Sequence, residues 1–105
     1  MPITHVVIVT FKADTPEQAI TELAAGLDAL GSQVRATAFQ HGSDLSLRDG
    51  NADYAITAVF EGQDQFREYM QESLHQQIIR DLLMPHMHSR SAVQFETPPC
   101  DWIRR

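Results

Sequence analysis

Cysteine is almost missing from this chain. Cys100 stands alone, which excludes an internal disulfide framework and any cysteine-rich zinc site. Lysine is equally scarce: Lys12 is the single lysine, and the seven arginines are scattered rather than gathered into a stripe. Eight basic residues against fourteen acidic ones give a net charge of −6, so neither nucleic acid nor an anionic membrane is expected as a partner. No apolar run comes near the ~20 residues that cross a bilayer. The opening residues also lack the charged start and small-residue cleavage site of a signal peptide, so the reading is a soluble cytoplasmic domain. There is no G-x-S-x-G, no Gly-rich phosphate loop and no H-E-x-x-H, which leaves hydrolysis by an activated serine, nucleotide chemistry and metalloprotease chemistry without support.

What remains is enough for one small domain of 105 residues, 43% hydrophobic. Residues 1–97 read as that domain and residues 98–105 as a C-terminal tail. Residues 3–11 are β-branched and alternate, with Ile3, His5, Val7, Val9 and Phe11 on one face and Thr4, Val6, Ile8 and Thr10 on the other. Thr15, Pro16 and Gln18 supply the N-cap, first-turn proline and capping box of a helix. It carries Ile20, Leu23, Leu27 and Leu30 at helical spacing and is expected to stop at Gly31. Residues 34–45 and 52–61 form a hairpin about Arg48-Asp49-Gly50-Asn51. A short helix follows over 63–71, then a second from an N-cap at Ser73, boxed by Gln76, to about Met84, where Pro85 limits it. A last strand spans 89–97. The order β-α-β-β-α-β is the ferredoxin-like α+β arrangement, a four-stranded antiparallel sheet with its helices on one face.

That arrangement leaves a sheet face bearing Val and Ile without cover, a patch that a lone monomer rarely tolerates. A two-fold homodimer with sheets packed face to face, a dimeric α+β barrel, removes it. Trp102, beyond Pro98-Pro99, is expected to pack on the partner subunit.

Three polar residues occupy positions where core residues belong. His5 shares its face with Val7 and Val9, Tyr69 shares its helix side with Phe66 and Met70, and His75 lies one turn before Ile78 and Ile79. Singly, each reads as a hydrogen-bonded core residue. Together, two imidazoles and a phenol make a polar cluster in an apolar pocket, which is the default form of a ligand site. Its expected walls are Val7, Val9, Ile56, Phe66, Ile79 and Leu82. With Ser73 as cap, His75 is the second helical residue, and both the helix dipole and burial lower its pKa, leaving a neutral imidazole able to act as a base. The alternative is that His75 only closes the break between the helices. His86 and His88 lack a third ligand and read as an exposed pair, His41 reads as a sheet-edge residue, and Asp44, Asp49 and Asp53 as a solvated turn. No cofactor or metal is expected.

The stretches Ile3-Thr4-His5-Val6-Val7, Gly42-Ser43-Asp44-Leu45, Ala52-Asp53-Tyr54-Ala55, Phe66-Arg67-Glu68-Tyr69, Leu74-His75-Gln76 and Ala92-Val93-Gln94-Phe95 resemble the stress-responsive A/B barrel domain (Dabb) family over about residues 2–97. The resemblance implies a dimeric α+β barrel. It also implies, from the plant polyketide cyclases in that family, aldol-type closure of a linear polyketide thioester by a His base with a Tyr six residues before it. Tyr69 and His75 stand at that separation, and His5 matches a His on the first strand. One departure is Glu72-Ser73, where the family usually has His-Pro ahead of the small residue and the motif His.

Two principal readings follow. In the first, a cofactor-free cyclase or lyase acts on an apolar carbonyl compound, with His75 as base, Tyr69 orienting it or holding the enolate oxygen, and His5 positioning substrate. In the second, a non-catalytic dimer binds a small apolar ligand or serves as an interaction module. That reading requires His5, Tyr69 and His75 to be hydrogen-bonded to one another beside no open cavity, and a hollow of ~300 Å³ or more counts against it. Oxygenation of antibiotic precursors and haem binding, known in related barrels, have no signature here.

Overall fold

β1, Ile3–Phe11, takes a central place in the sheet because both of its faces are apolar enough to be covered. The computed structural model describes residues 1–98, so Cys100 and the expected seat of Trp102 lie outside the described residues. α1 (Glu17–Gln33), β2 (Ala38–Ser43), β3 (Tyr54–Phe60), α2 (Gln63–Gln71), α3 (Ser73–Ile78) and β4 (Met87–Glu96) follow. The strands pair antiparallel in the order β2-β3-β1-β4, which is the ferredoxin-like topology.

Register decides which side chains share a face. His5 stands opposite Ala58 and Gln94, Val7 opposite Ile56 and Ala92, and Val9 opposite Tyr54 and Arg90. On the outer side of β3, Phe39 faces Ala58 and His41 faces Ile56. All of these lie under the helices, because directly paired residues point the same way. Leu23, Leu27 and Leu30 of α1 close on them and are almost wholly buried. Burial of each is worth about 1.5–3 kcal/mol. The other face, with Thr4, Val6 and Ile8 against Val93 and Phe95, has no helix over it among the described residues. Ile8, Val93 and Phe95 there are each more than two-fifths exposed.

Several local expectations are corrected. Thr15 does not cap α1; its hydroxyl donates to the His86 carbonyl (3.5 Å), and the N-cap is Pro16. α1 runs past Gly31 to Gln33. That glycine is needed for another reason, since a Cβ there would stand 2.8 Å from the Phe39 ring. Ser73 is likewise not a cap: Glu72 holds the N-cap position with extended backbone, so His75 is the third helical residue. Gln76 spends its side-chain amide on the Met70 carbonyl (3.3 Å) rather than on a capping box, pinning the kink between α2 and α3.

Pro85 has the effect expected of a residue without an N–H, but the helix does not simply stop. It widens into a π turn over Ile79–Leu83 and tightens into a 3₁₀ turn over Met84–His86. The hairpin strands are shorter than their alternation suggested, because the loop between them has its own bonds. Asp44 accepts from the Ser46 N–H (2.9 Å) and the Asn51 amide (3.1 Å), and Asp53 accepts from the Phe11 N–H (2.8 Å).

Candidate active site

The kink at Glu72 is what brings the site together. Its N–H donates to the Tyr69 carbonyl (3.1 Å), and the chain then turns so that α3 runs back over the sheet. His75 consequently lies against Tyr69, with ring centroids 4.3 Å apart, and Tyr69 lies 5.9 Å from the His5 ring beneath it. All three are buried.

These three side chains share the wall of a hollow of about 250 Å³ between sheet and helices. Of the expected apolar lining, Val7, Ile56 and Ile79 are present. Val9, Phe66 and Leu82 are not. Val9 lies two residues farther along β1 and is completely buried in the core. Phe66 sits one turn earlier on α2, against His5 (5.2 Å) and Phe60 (5.8 Å), and lines a separate surface cleft. Leu82 packs on α1 at Gly26, where an added Cβ would come within 2.9 Å of it. Sequence reasoning missed Leu27, Ile78 and Leu83, the methionines Met70, Met84 and Met87, and Arg90. The methionines carried a usable signal: every methionine other than the first faces this hollow, and methionine is the residue that fits irregular apolar space.

Burial sets the electrostatics. It pushes the His5 pKa from 6.5 down to about 4, with His75 and the Arg90 charge lowering it further. The Gln94 amide nitrogen donates to His5 Nδ1 (2.9 Å), a bond that the neutral ring accepts. Burial also lowers the His75 pKa; the Met70 carbonyl opposes this and Arg90 adds to it. Desolvation is the largest cause of that shift. Tyr69 moves the other way, its phenol pushed up to about 12 by burial, so it is a proton donor at neutral pH. His5, Tyr69 and His75 make no hydrogen bond to one another, and His75 Nδ1 is buried with no partner among the described residues. An unpartnered buried nitrogen costs about 1–3 kcal/mol. Proteins rarely leave one without a use.

A second cluster was not legible in the sequence. His41, read as an edge residue, has both ring nitrogens engaged, Nδ1 with the Tyr54 hydroxyl and Nε2 with Asp28, each at 2.7 Å. Since the carboxylate only accepts, Nε2–H donates to it, and Nδ1 is left for the Tyr54 hydroxyl. Asp28 and His41 are thirteen residues apart, as are His41 and Tyr54, so no local spacing announces the set. His86 and His88 stay apart from both clusters. The His86 carbonyl accepts from the Lys12 N–H (2.8 Å), and His88 is exposed at the start of β4. Among the described residues no group of three or more His, Cys, Asp or Glu is placed to hold a metal ion.

A split βαβ sheet carrying a phenol and two neutral imidazoles around an apolar hollow defines a ferredoxin-like α+β domain with a cavity between sheet and helices. Residues 3–97 match the family described as the Stress responsive A/B Barrel Domain, and the chain belongs to that family. The solved structures agree on the fold. A dimeric ferredoxin-like protein of unknown function from Thermobifida fusca is 26% identical, with a TM-score of 0.87 and 92% of each chain covered. A Dabb family protein from Mesorhizobium loti is 17% identical, with a TM-score of 0.76 over 93% of this chain and 98% of that one. A hydroxynitrile lyase from Passiflora edulis is 16% identical, with a TM-score of 0.77 over 93% of this chain and 97% of its own. No curated protein sequence matches the chain. No helix among the described residues is long and apolar enough to cross a membrane.

Proposed function

We propose that the protein is a homodimer in which each subunit performs cofactor-free acid–base chemistry on a short, apolar, carbonyl-bearing molecule, in the manner of an aldol-type cyclase or lyase. The observation that carries this reading is His75: a neutral imidazole on the wall of the hollow, with a buried Nδ1 that has no hydrogen-bond partner among the described residues. His75 takes a proton from the carbon beside the carbonyl. The C–H electron pair moves into the enolate, whose oxygen the Tyr69 phenol stabilises by donating its proton or a hydrogen bond. The enolate carbon then closes on a second carbonyl, whose oxygen takes the proton back from the His75 imidazolium; run in reverse, His75 takes the hydroxyl proton, the C–C bond breaks and a carbonyl fragment leaves. His5, fixed by Gln94, positions the substrate. A hydroxynitrile lyase on the same fold supports lyase chemistry as something this scaffold accommodates, by analogy of fold alone. The hollow of about 250 Å³ favours a short chain over a long polyketide.

The uncovered sheet face supports the dimer, as does the dimeric state of the Thermobifida fusca protein. Sedimentation at micromolar concentration is expected to give two subunits; a single well-behaved subunit would overturn the dimer. The chemistry is tested with short β-keto acids and their thioesters, following product and solvent-deuterium incorporation above the uncatalysed rate. Folded His75→Ala is expected to lose about 10²–10⁴-fold in rate. Full retained turnover removes His75 from the mechanism.

The second reading, a non-catalytic dimer that holds a small ligand or serves as an interaction module, draws on the modest size of the hollow, which falls short of the ~300 Å³ at which ligand pockets ordinarily begin, but the mutual hydrogen bonds it requires among His5, Tyr69 and His75 are not formed. It predicts ligand binding without turnover by the wild-type protein and by His75→Ala alike.

A further inference from the structure

Fourteen acidic residues give this chain its charge, yet none of them lines the hollow. The charged side chain that does is Arg90. It stands opposite Val9 in the β1–β4 register, on the helix-covered face, at the exposed edge of the cavity. Among the described residues it has neither an ion-pair partner nor a hydrogen bond, whereas Arg67 and Arg80 each hold a neighbouring aspartate. A guanidinium left unneutralised, beside two imidazoles that stay uncharged, makes the hollow's edge positive.

Accepting the hollow as the binding site, we infer that its ligand is a short apolar monocarboxylate, gripped by Arg90 through the carboxylate while the carbonyl-bearing part lies among Val7, Ile56, Ile79 and the methionines. The planar fork of arginine matches two carboxylate oxygens at once. One cation and about 250 Å³ suit a single small anion rather than a nucleotide or a di-anion. Gripping the acid end holds the rest of the molecule in one orientation toward His75 and Tyr69, so Arg90 is a specificity-determining residue. An anion at that place also offsets the charge that depresses both imidazoles, so its binding raises their pKa values.

The test uses the full chain with benzoate and its neutral counterpart benzamide as probes, by calorimetry and by NMR of the histidine rings at neutral pH. Benzoate is expected to bind roughly tenfold to a hundredfold tighter than benzamide, and to move the His5 and His75 ring signals. Arg90→Gln brings benzoate down to the benzamide level, and Arg90→Lys recovers part of the difference. Because Arg90 is exposed and unbonded, both variants are expected to fold, which circular dichroism checks. Equal affinity for the two probes overturns the carboxylate inference while leaving an apolar site intact. A preference undiminished in Arg90→Gln, or binding that leaves the ring signals unmoved, overturns the role of Arg90. Absence of binding by either probe also overturns the inference; the proton-abstraction reading is then decided by the His75→Ala assay, which does not depend on benzoate.

Discussion

Two histidine–tyrosine pairs lie under the same helical layer and are treated in opposite ways. His41 and Tyr54 are stacked at 6.0 Å and tied to Asp28, with both imidazole nitrogens occupied. His75 and Tyr69 are closer, at 4.3 Å, yet His75 Nδ1 has no hydrogen-bond partner among the described residues, and both residues line the hollow. The first pair is a strut that fastens edge strand β2 to β3 and α1. The second keeps its hydrogen-bonding capacity in reserve. The same residue types therefore mean stability where every polar atom is satisfied, and chemistry where one is left open.

The comparison is broken most sharply at the histidines themselves. His75→Ala is expected to remove the proposed turnover by about 10²–10⁴-fold, worth roughly 3–5 kcal/mol of barrier, with a smaller loss of stability that comes from its packing against Tyr69. His41→Ala should do the reverse. It strands the buried Tyr54 hydroxyl and is expected to cost about 1–3 kcal/mol in urea unfolding, with turnover little altered.

Acid is the next lever. The folded protein holds His5 near pKa 4, whereas the unfolded chain returns it to 6.5. Between those values the unfolded state binds a proton that the folded state refuses. Stability is thus complete above about pH 6.5 and falls as the pH drops toward 4, by up to about 3 kcal/mol. The lowered His75 pKa acts in the same direction. His5→Gln should flatten part of that slope in denaturation measured at pH 7, 5.5 and 4. A wild-type protein equally stable at pH 7 and pH 4 would contradict the burial of both rings as neutral imidazoles.

The smallest effect is expected at Asp28→Asn. The carboxyl is largely exposed and an amide oxygen can still accept from His41, so a loss within about 1 kcal/mol is predicted, screened by salt. A larger loss would mean that the His41 cluster depends on charge rather than on hydrogen bonding.

Strong periodicity made β1, α1 and β3 legible, because apolar spacing and tertiary burial ask for the same residues at Val7, Leu27 and Ile56. Caps were harder. Thr15 and Ser73 satisfy the pattern for an N-cap, but Thr15 finds the His86 carbonyl, and Glu72 takes the cap position ahead of Ser73. Local motifs announce what a backbone can accept; a long-range partner decides whether it is taken up. The His5, Tyr69 and His75 set could be proposed because two of its members lie on one short stretch and the third on an alternating strand. Arg90, Met84 and Met87 could not. They reach the hollow through the β1–β4 register and the widened turn before Pro85.

Composition and periodicity by themselves determined an acidic split βαβ domain with one sheet face bare and polar rings at core positions, since these follow from side-chain chemistry repeated at a helix or strand period. Only the tertiary structure decided which histidine is satisfied and which is not, that Arg90 overlooks the hollow, and that Val9 and Leu82 do not line it. Hydrogen-bond partners and cavity walls are set by contacts between residues far apart in the chain, and no local pattern encodes those.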